Sequence, residues 1–231
     1  MKENLILVPG LLCDARVWRD QVTALAGLAD VAVADISEGD SLEVMAARIL
    51  HEAPPYFCLA GHSLGGRVAM EIYRQAPDRV LKLALLSTGR RDVRPGEPER
   101  RAALVEAART KGVTVIADDM LIPAMHPDKQ RDAQLVEDVR AMIGRFDLEI
   151  LKRQFTAMLS RPDMTEAMGG IACPTLIACG RQDTYSPLDR HEAMHEIIPG
   201  SRLVAIENAG HMAPMEEPEQ VTEAMRAWLE G

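Results

Sequence analysis

Short apolar runs alternate with amphipathic stretches almost from the first residue, and this rhythm limits the possible folds more than any other feature of the chain. Residues 5–8, 31–34 and 56–60 read as strands, and 15–26 and 42–53 as helices, the second with Ser41 in position to cap it. A helix over 65–75, closed by Pro77, and a strand over 83–86 continue the pattern. Apolar runs without polar alternation are strands covered on both faces, and strands joined by helices run parallel. The expected class is therefore α/β, with about six parallel strands. After Ser87 the rhythm stops: from 90 to 170 the periodicity is helical only, over 97–110, 128–143 and 148–159. It resumes with strands at 175–179 and 203–206, a helix at 188–198 and a last helix ending near Trp228. Residues 1–89 and 171–231 thus read as one α/β core, interrupted by a helical cap over 90–170. A length of 231 residues suits one large domain with an insertion better than two equal domains.

Composition narrows the function classes. A formal charge of −9 removes the long-range attraction that nucleic acid or an anionic membrane surface needs, so neither is expected as a partner. No apolar run approaches the roughly 20 residues that span a bilayer. The start has the outline of a lipoprotein signal, but Pro9 and Gly10 interrupt its apolar part and bulky Leu12 precedes Cys13. It reads instead as strand and loop of a mature, cytoplasmic protein. Cys13, Cys58, Cys173 and Cys179 form no C-x-x-C pair and read as reduced, structural thiols. Acidic and basic residues balance over the insertion, which places the net charge on the α/β part. Arg90, Arg91, Arg94, Arg100 and Arg101 crowd the insertion's start and read first as a solvated helical face. The sharper reading is local attraction for an anionic substrate or an acidic acyl carrier, unless Glu97 and Glu99 neutralise the cluster. The cap methionines Met120, Met125, Met158, Met164 and Met168 read first as core and second as pocket lining.

The strongest chemical signal is Gly61-His62-Ser63-Leu64-Gly65, set between an apolar strand and an amphipathic helix. This is G-x-S-x-G in the strand-turn-helix context that presents a serine hydroxyl on a strained turn, the glycines letting strand and helix approach. A serine hydroxyl is a poor nucleophile unless a base takes its proton and an acid orients that base. His211 follows the strand over 203–206 and Asp183 follows the strand over 175–179, both at carboxyl ends of parallel strands, where ligand sites gather. Asp92, after the strand over 83–86, is an alternative acid. An oxyanion needs two backbone N–H donors, for which Leu64 and Leu11 are placed. His62 is assigned no role.

These residues resemble the α/β-hydrolase superfamily over nearly the whole chain. Pro9-Gly10-Leu11, with Val17-Trp18 after it, is most similar to the oxyanion loop of pimeloyl-carrier-protein methyl ester esterases and other small carboxylesterases. Where the family usually has His-Gly this chain has Pro9-Gly10, and those esterases place an aromatic where Leu11 stands. The chain opens at what looks like the family's third strand, which implies that the first two of its eight strands are missing. The resemblance implies a serine hydrolase of a carboxylic ester or thioester, with Ser63, Asp183 and His211 as the triad and no cofactor. A C–C bond hydrolase with the same triad is the nearest alternative. Two further readings belong to other classes. One is a ligand-binding protein without turnover. The other is a zinc metallopeptidase, because His191-Glu192-Ala193-Met194-His195 spells H-E-x-x-H. That helix sits between Pro187 and Pro199 and reads as a surface helix, with His191 and His195 on its exposed side and no metal held.

Overall fold

The computed structural model describes residues 2–231. The first half contains β1 (Glu3–Val8), α1 (Arg19–Leu25), β2 (Ala29–Val33), α2 (Leu42–Glu52), β3 (Phe57–His62), α3 (Leu64–Gln75) and β4 (Val80–Leu86). Four α-helices follow, with no strand between them among the described residues: α4 (Glu97–Lys111), α5 (Ala133–Ile143), α6 (Leu148–Leu159) and α7 (Thr165–Met168). The chain ends with β5 (Thr175–Gly180), α8 (Leu188–His195), β6 (Arg202–Ile206), α9 (Ala213–Glu216) and α10 (Pro218–Glu230).

All six strands pair in parallel, in the order β2-β1-β3-β4-β5-β6. The central strands β3 and β5 are buried at every residue, which is why their sequences carry no polar alternation. The edge strand β2 alternates buried or half-buried with exposed positions, as a strand covered on one side should. Right-handed crossovers put α2 and α3 on one face and α1 on the other, where it packs against α10. Because β2 and β3 leave β1 in opposite directions, the loops after β1 and β3 separate and open a crevice at the carboxyl edge of the sheet.

Local chemistry sets the helix ends. Ser41 Oγ accepts the Val44 N–H at 3.2 Å, as the sequence suggests. The helix expected over 128–143 begins only at Ala133, because Asp132 caps it through the Gln134 and Leu135 N–H groups and residues 129–131 form a 3₁₀ turn. The 15–26 helix likewise divides into a 3₁₀ turn over Ala15–Trp18 and α1. Ile116, Val139, Ile143 and Leu151, between β4 and β5, belong to the same continuous core as the sheet. Met125, Met158, Met164 and Met168 are buried. The four cysteines are free, and burial pushes the thiols of Cys13, Cys58 and Cys179 up to about 12. Among the described residues no helix is long and apolar enough to cross a membrane.

Of the arginines at the start of the insertion, Arg91, Arg94 and Arg100 are exposed as expected, but Arg101 is buried beside Glu97. Glu97, Arg101 and Arg161 are each 5% exposed or less, and the Glu97 carboxylate accepts from both guanidinium groups at 2.6 to 2.9 Å. Burial opposes the charge, but the two arginines outweigh it and hold the Glu97 carboxyl down to about 2. The contribution is therefore present above the ordinary carboxylate range and is lost only as pH falls towards that value. Glu97→Gln leaves two buried cations unbalanced, so it should cost about 3–5 kcal/mol by chemical denaturation at neutral pH. A loss below about 1 kcal/mol would show the cluster to be solvated after all.

Candidate active site

β3 passes into α3 with Ser63 as the only residue between them, at φ 56° and ψ −116°. A non-glycine residue at positive φ is strained and must be held by its surroundings. Its N–H donates to the Leu86 carbonyl at 2.9 Å, and its carbonyl accepts from Thr88 Oγ1 at 2.7 Å. The flanking glycines are required by contact: a Cβ on Gly61 would stand 2.3 Å from the Gly65 carbonyl oxygen, and one on Gly65 would stand 2.2 Å from the Val8 carbonyl oxygen. The second contact presses the start of α3 onto the end of β1.

Ser63, His211 and Asp183, which the sequence placed in separate loops, form one hydrogen-bonded chain. Ser63 Oγ lies 2.9 Å from His211 Nε2, and His211 Nδ1 lies 2.9 Å from Asp183 Oδ2. The other carboxylate oxygen, Oδ1, accepts the Tyr185 and Ser186 N–H groups at 2.9 and 2.8 Å. Asp183 and His211 are almost fully buried. Burial alone would raise the Asp183 carboxyl, but the His211 charge and hydrogen bond and the Ser186 N–H hold it below its usual value. With Nδ1 committed to the carboxylate as donor, Nε2 is left to accept from Ser63. Asp92, the alternative acid, is exposed, and its carbonyl accepts from Arg161.

Leu11 and Leu64 lie on the two loops that meet at this serine. A Cβ on Gly10 would lie 3.4 Å from Ser63 Cβ, which puts the loop after β1 beside the hydroxyl. Neither the Leu11 nor the Leu64 N–H has an acceptor among the described residues. Leu12 adopts φ 49°, and its N–H donates to Gln154 Oε1 at 2.8 Å, while Gln154 Nε2 donates to the Ile36 carbonyl at 3.0 Å. A fully buried side chain of α6 thus fixes the loop.

Three residues that sequence reasoning passed over hold the His211 loop. Glu216, 2% exposed, accepts the N–H of Gly210 at 2.9 Å and of Met212 at 2.8 Å, one on each side of His211. It also accepts the His126 N–H at 2.7 Å, tying in the segment between β4 and β5. The Ala124 carbonyl accepts the His211 N–H at 2.8 Å. His62 Nε2–H donates to the His211 carbonyl at 2.8 Å, and its ring meets Trp18 edge-on at 6.2 Å. Only His62, inside the G-x-S-x-G motif, carried a sequence signal.

The exposed placement expected for His191 is wrong. It is fully buried, because α8 packs against β5 and β6 with His191 and Met194 inward. Its Nε2 accepts the Thr88 N–H at 3.0 Å and its Nδ1–H donates to the Pro187 carbonyl at 3.2 Å. Both ring nitrogens serve the fold, which leaves no lone pair for a metal. His195 is exposed and bonds Ser201 Oγ through Nδ1.

A serine on a strand-to-helix turn, bonded through histidine to a buried carboxylate at the carboxyl edge of a parallel sheet, defines the alpha/beta hydrolases. Residues 5–224 match the family model described as "Alpha/beta hydrolase family", and the chain belongs to that family. It is a hydrolase. Among its relatives is the pimeloyl-[acyl-carrier protein] methyl ester esterase of Aliivibrio fischeri (strain ATCC 700601 / ES114), 25% identical over 98% of this chain and 93% of that protein. The sn-1-specific diacylglycerol lipase ABHD11 of Mus musculus is 24% identical over 74% of this chain, a match that spans only 58% of the lipase. The structure of a thermophilic esterase from Thermogutta terrifontis, with malate bound, superposes with a TM-score of 0.90 at 32% identity, covering 100% of this chain and 90% of that one.

Burial, and then the His211 charge, push the His62 imidazole down to about 4. The folded protein thus refuses a proton that the unfolded chain takes up near its ordinary value of about 6.5. Stability from this group is complete above that value and should fall by roughly 3 kcal/mol as pH drops to about 4. The pH dependence of denaturant unfolding over this window should be shallower in His62→Gln. An unchanged slope would mean that His62 is protonated in the fold.

Proposed function

We propose that the chain is a serine hydrolase of carboxylic esters or thioesters that works through an acyl-enzyme. The observation carrying this reading is the pair of 2.9 Å contacts linking Ser63 Oγ to His211 and His211 to Asp183. Ser63 Oγ attacks the carbonyl carbon while His211 Nε2 takes its proton. Asp183 holds the imidazole in the accepting tautomer and stabilises the imidazolium that forms. The N–H groups of Leu11 and Leu64 receive the oxyanion, at the positive end of α3. As the tetrahedral intermediate collapses, His211 returns its proton to the departing alcohol or thiol. Water, deprotonated by the same imidazole, then releases the acid and restores Ser63.

Residues 90–170 act as a cap in this reading, supplying one wall of a cavity of about 170 Å³ beside Ser63. That volume favours a small-molecule ester, whereas the name printed for several relatives, pimeloyl-[acyl-carrier protein] methyl ester esterase, supports an ester held on an acyl carrier as the second reading. Buried thiols without disulfides suit a reducing compartment such as the cytoplasm.

Ser63→Ala and His211→Ala should each lower kcat by on the order of 10³-fold or more on short-chain esters, with circular dichroism unchanged. A fluorophosphonate should label the wild type stoichiometrically and Ser63→Ala not at all. Wild-type rates in folded Ser63→Ala would end the proposal, and absence of labelling would favour a binding protein without turnover. A chelator should leave the rate unaltered, since His191 is committed to Thr88 and Pro187. Loss on chelation, restored by zinc, would return the H-E-x-x-H reading.

A further inference from the structure

Charge is distributed unevenly around Ser63. Arg67, Arg94, Arg100, Arg101, Arg161 and Arg190 line the cavity, against the single carboxylate of Glu97. Glu97 forms its ion pairs with Arg101 and Arg161, and of the rest it accepts only the main-chain N–H of Arg94 at 3.2 Å. The other four arginines make no ion pair among the described residues. Arg67 Nη1 donates to the Arg91 carbonyl at 2.9 Å and Arg190 Nη1 to the Tyr185 carbonyl at 3.1 Å, and neither acceptor carries a charge.

Depth separates these cations. Arg94 and Arg100 are exposed and stand at the mouth, whereas Arg67 and Arg190 are half-buried. Burial, and then the charge of Arg161, pull Arg67 down to about 9; burial, and then Arg94, pull Arg190 below its usual value. Cations withdrawn from water without a counterion are costly, and an anion supplied from outside removes that cost. A neighbouring cavity of about 220 Å³ shares Arg67, Arg94 and Arg190 and adds Arg90 and Arg91, with Asp92 and Asp189 as its only acids. Of the five arginines named for the sequence cluster only Arg94, Arg100 and Arg101 line the cavity of Ser63, and its two half-buried cations, Arg67 and Arg190, come from α3 and α8.

Resting on the ester-hydrolase reading above, we propose that this recess binds a free carboxylate carried by the substrate a few bonds from the scissile carbonyl. The preferred substrates are then hemiesters of small dicarboxylic acids, with Arg67 and Arg190 as the specificity-determining residues. A carboxylate fits the guanidinium fork with two parallel hydrogen bonds. The cavity that holds the cations also contains Ser63, so charge and ester must belong to one short molecule. An acidic acyl carrier would meet the exposed Arg94 and Arg100 first, whereas Arg67 and Arg190 are withdrawn into the cavity and suit a charge that enters with the ester. On a chain of net charge −9 the recess selects at close range rather than by long-range steering.

Methanol release from monomethyl glutarate and from dimethyl glutarate tests the proposal. Wild-type kcat/KM should favour the hemiester by about tenfold or more at low salt, and the preference should shrink at high salt. Arg67→Gln and Arg190→Gln should each lower the ratio of hemiester to diester kcat/KM by about tenfold, mainly through KM for the hemiester. The salt dependence needs no variant, so it stands if either substitution fails to fold. Equal rates on both esters, or a ratio unmoved in folded variants, would overturn the recess and leave the ester-hydrolase reading intact. So would a preference seen only for an ester carried on an acidic acyl carrier protein. Calorimetry on Ser63→Ala separates the other case: tighter binding of the hemiester than of the diester, with no turnover of either by wild type, would keep the recess and end the ester reading.

Discussion

The end of β1 touches the start of α3 through bare backbone. The Val8 carbonyl oxygen stands where a side chain on Gly65 would begin, and the Gly65 carbonyl stands where one on Gly61 would begin. Contact this close brings the loop after β1 up to Ser63, where a Cβ on Gly10 would lie 3.4 Å from the serine Cβ. It also forces the turn to be completed in a single residue, which is why Ser63 takes a positive φ. Strain of this kind persists only where the surroundings over-determine it. Here they do so through Leu86 and Thr88, which belong to the next strand and its loop.

Three of the buried carboxylates organise the rest, each balanced differently. Asp183 is met by an imidazole and two backbone amides, Glu97 by two guanidinium groups, and Glu216 by three amides alone. The balance is reflected in their titration. Glu97 and Asp183 lie below the ordinary carboxylate value, while burial leaves Glu216 above it despite its hydrogen bonds. Amides orient a carboxylate without neutralising it. Glu216 therefore fixes a loop, and Asp183 holds the His211 imidazole.

Much of this was legible in the sequence because close contacts leave their mark on residue type. Glycine at 61 and 65 is dictated by main-chain atoms within 2.3 Å, and an unbroken apolar run at β3 or β5 is dictated by cover on both faces. Asp183 and His211 could be found since strand ends in parallel sheets point one way. What escaped notice depends on pairing between distant segments. Glu216 sits in a run of Met, Glu and Pro that reads as surface, and only the fold sets it beside Gly210 and His126. His191 lies on a short helix whose charged neighbours hid its inward face. Arg67 and Arg161 are 94 positions apart and meet only where the helical insertion folds back over α3.

The segment between β4 and β5 does more than line the cavity. Its Ala124 carbonyl holds the His211 amide, its His126 amide is bound by Glu216, and Gln154 holds the loop after β1 by the Leu12 amide. A foreign segment spliced between β4 and β5 would have to bring a carbonyl and a side-chain amide to the same two places. Without them, both loops beside Ser63 lose a bond. In this scaffold the segment that lines the cavity also holds the loops of Ser63 and His211 in place, and recombination that exchanges the one will disturb the other.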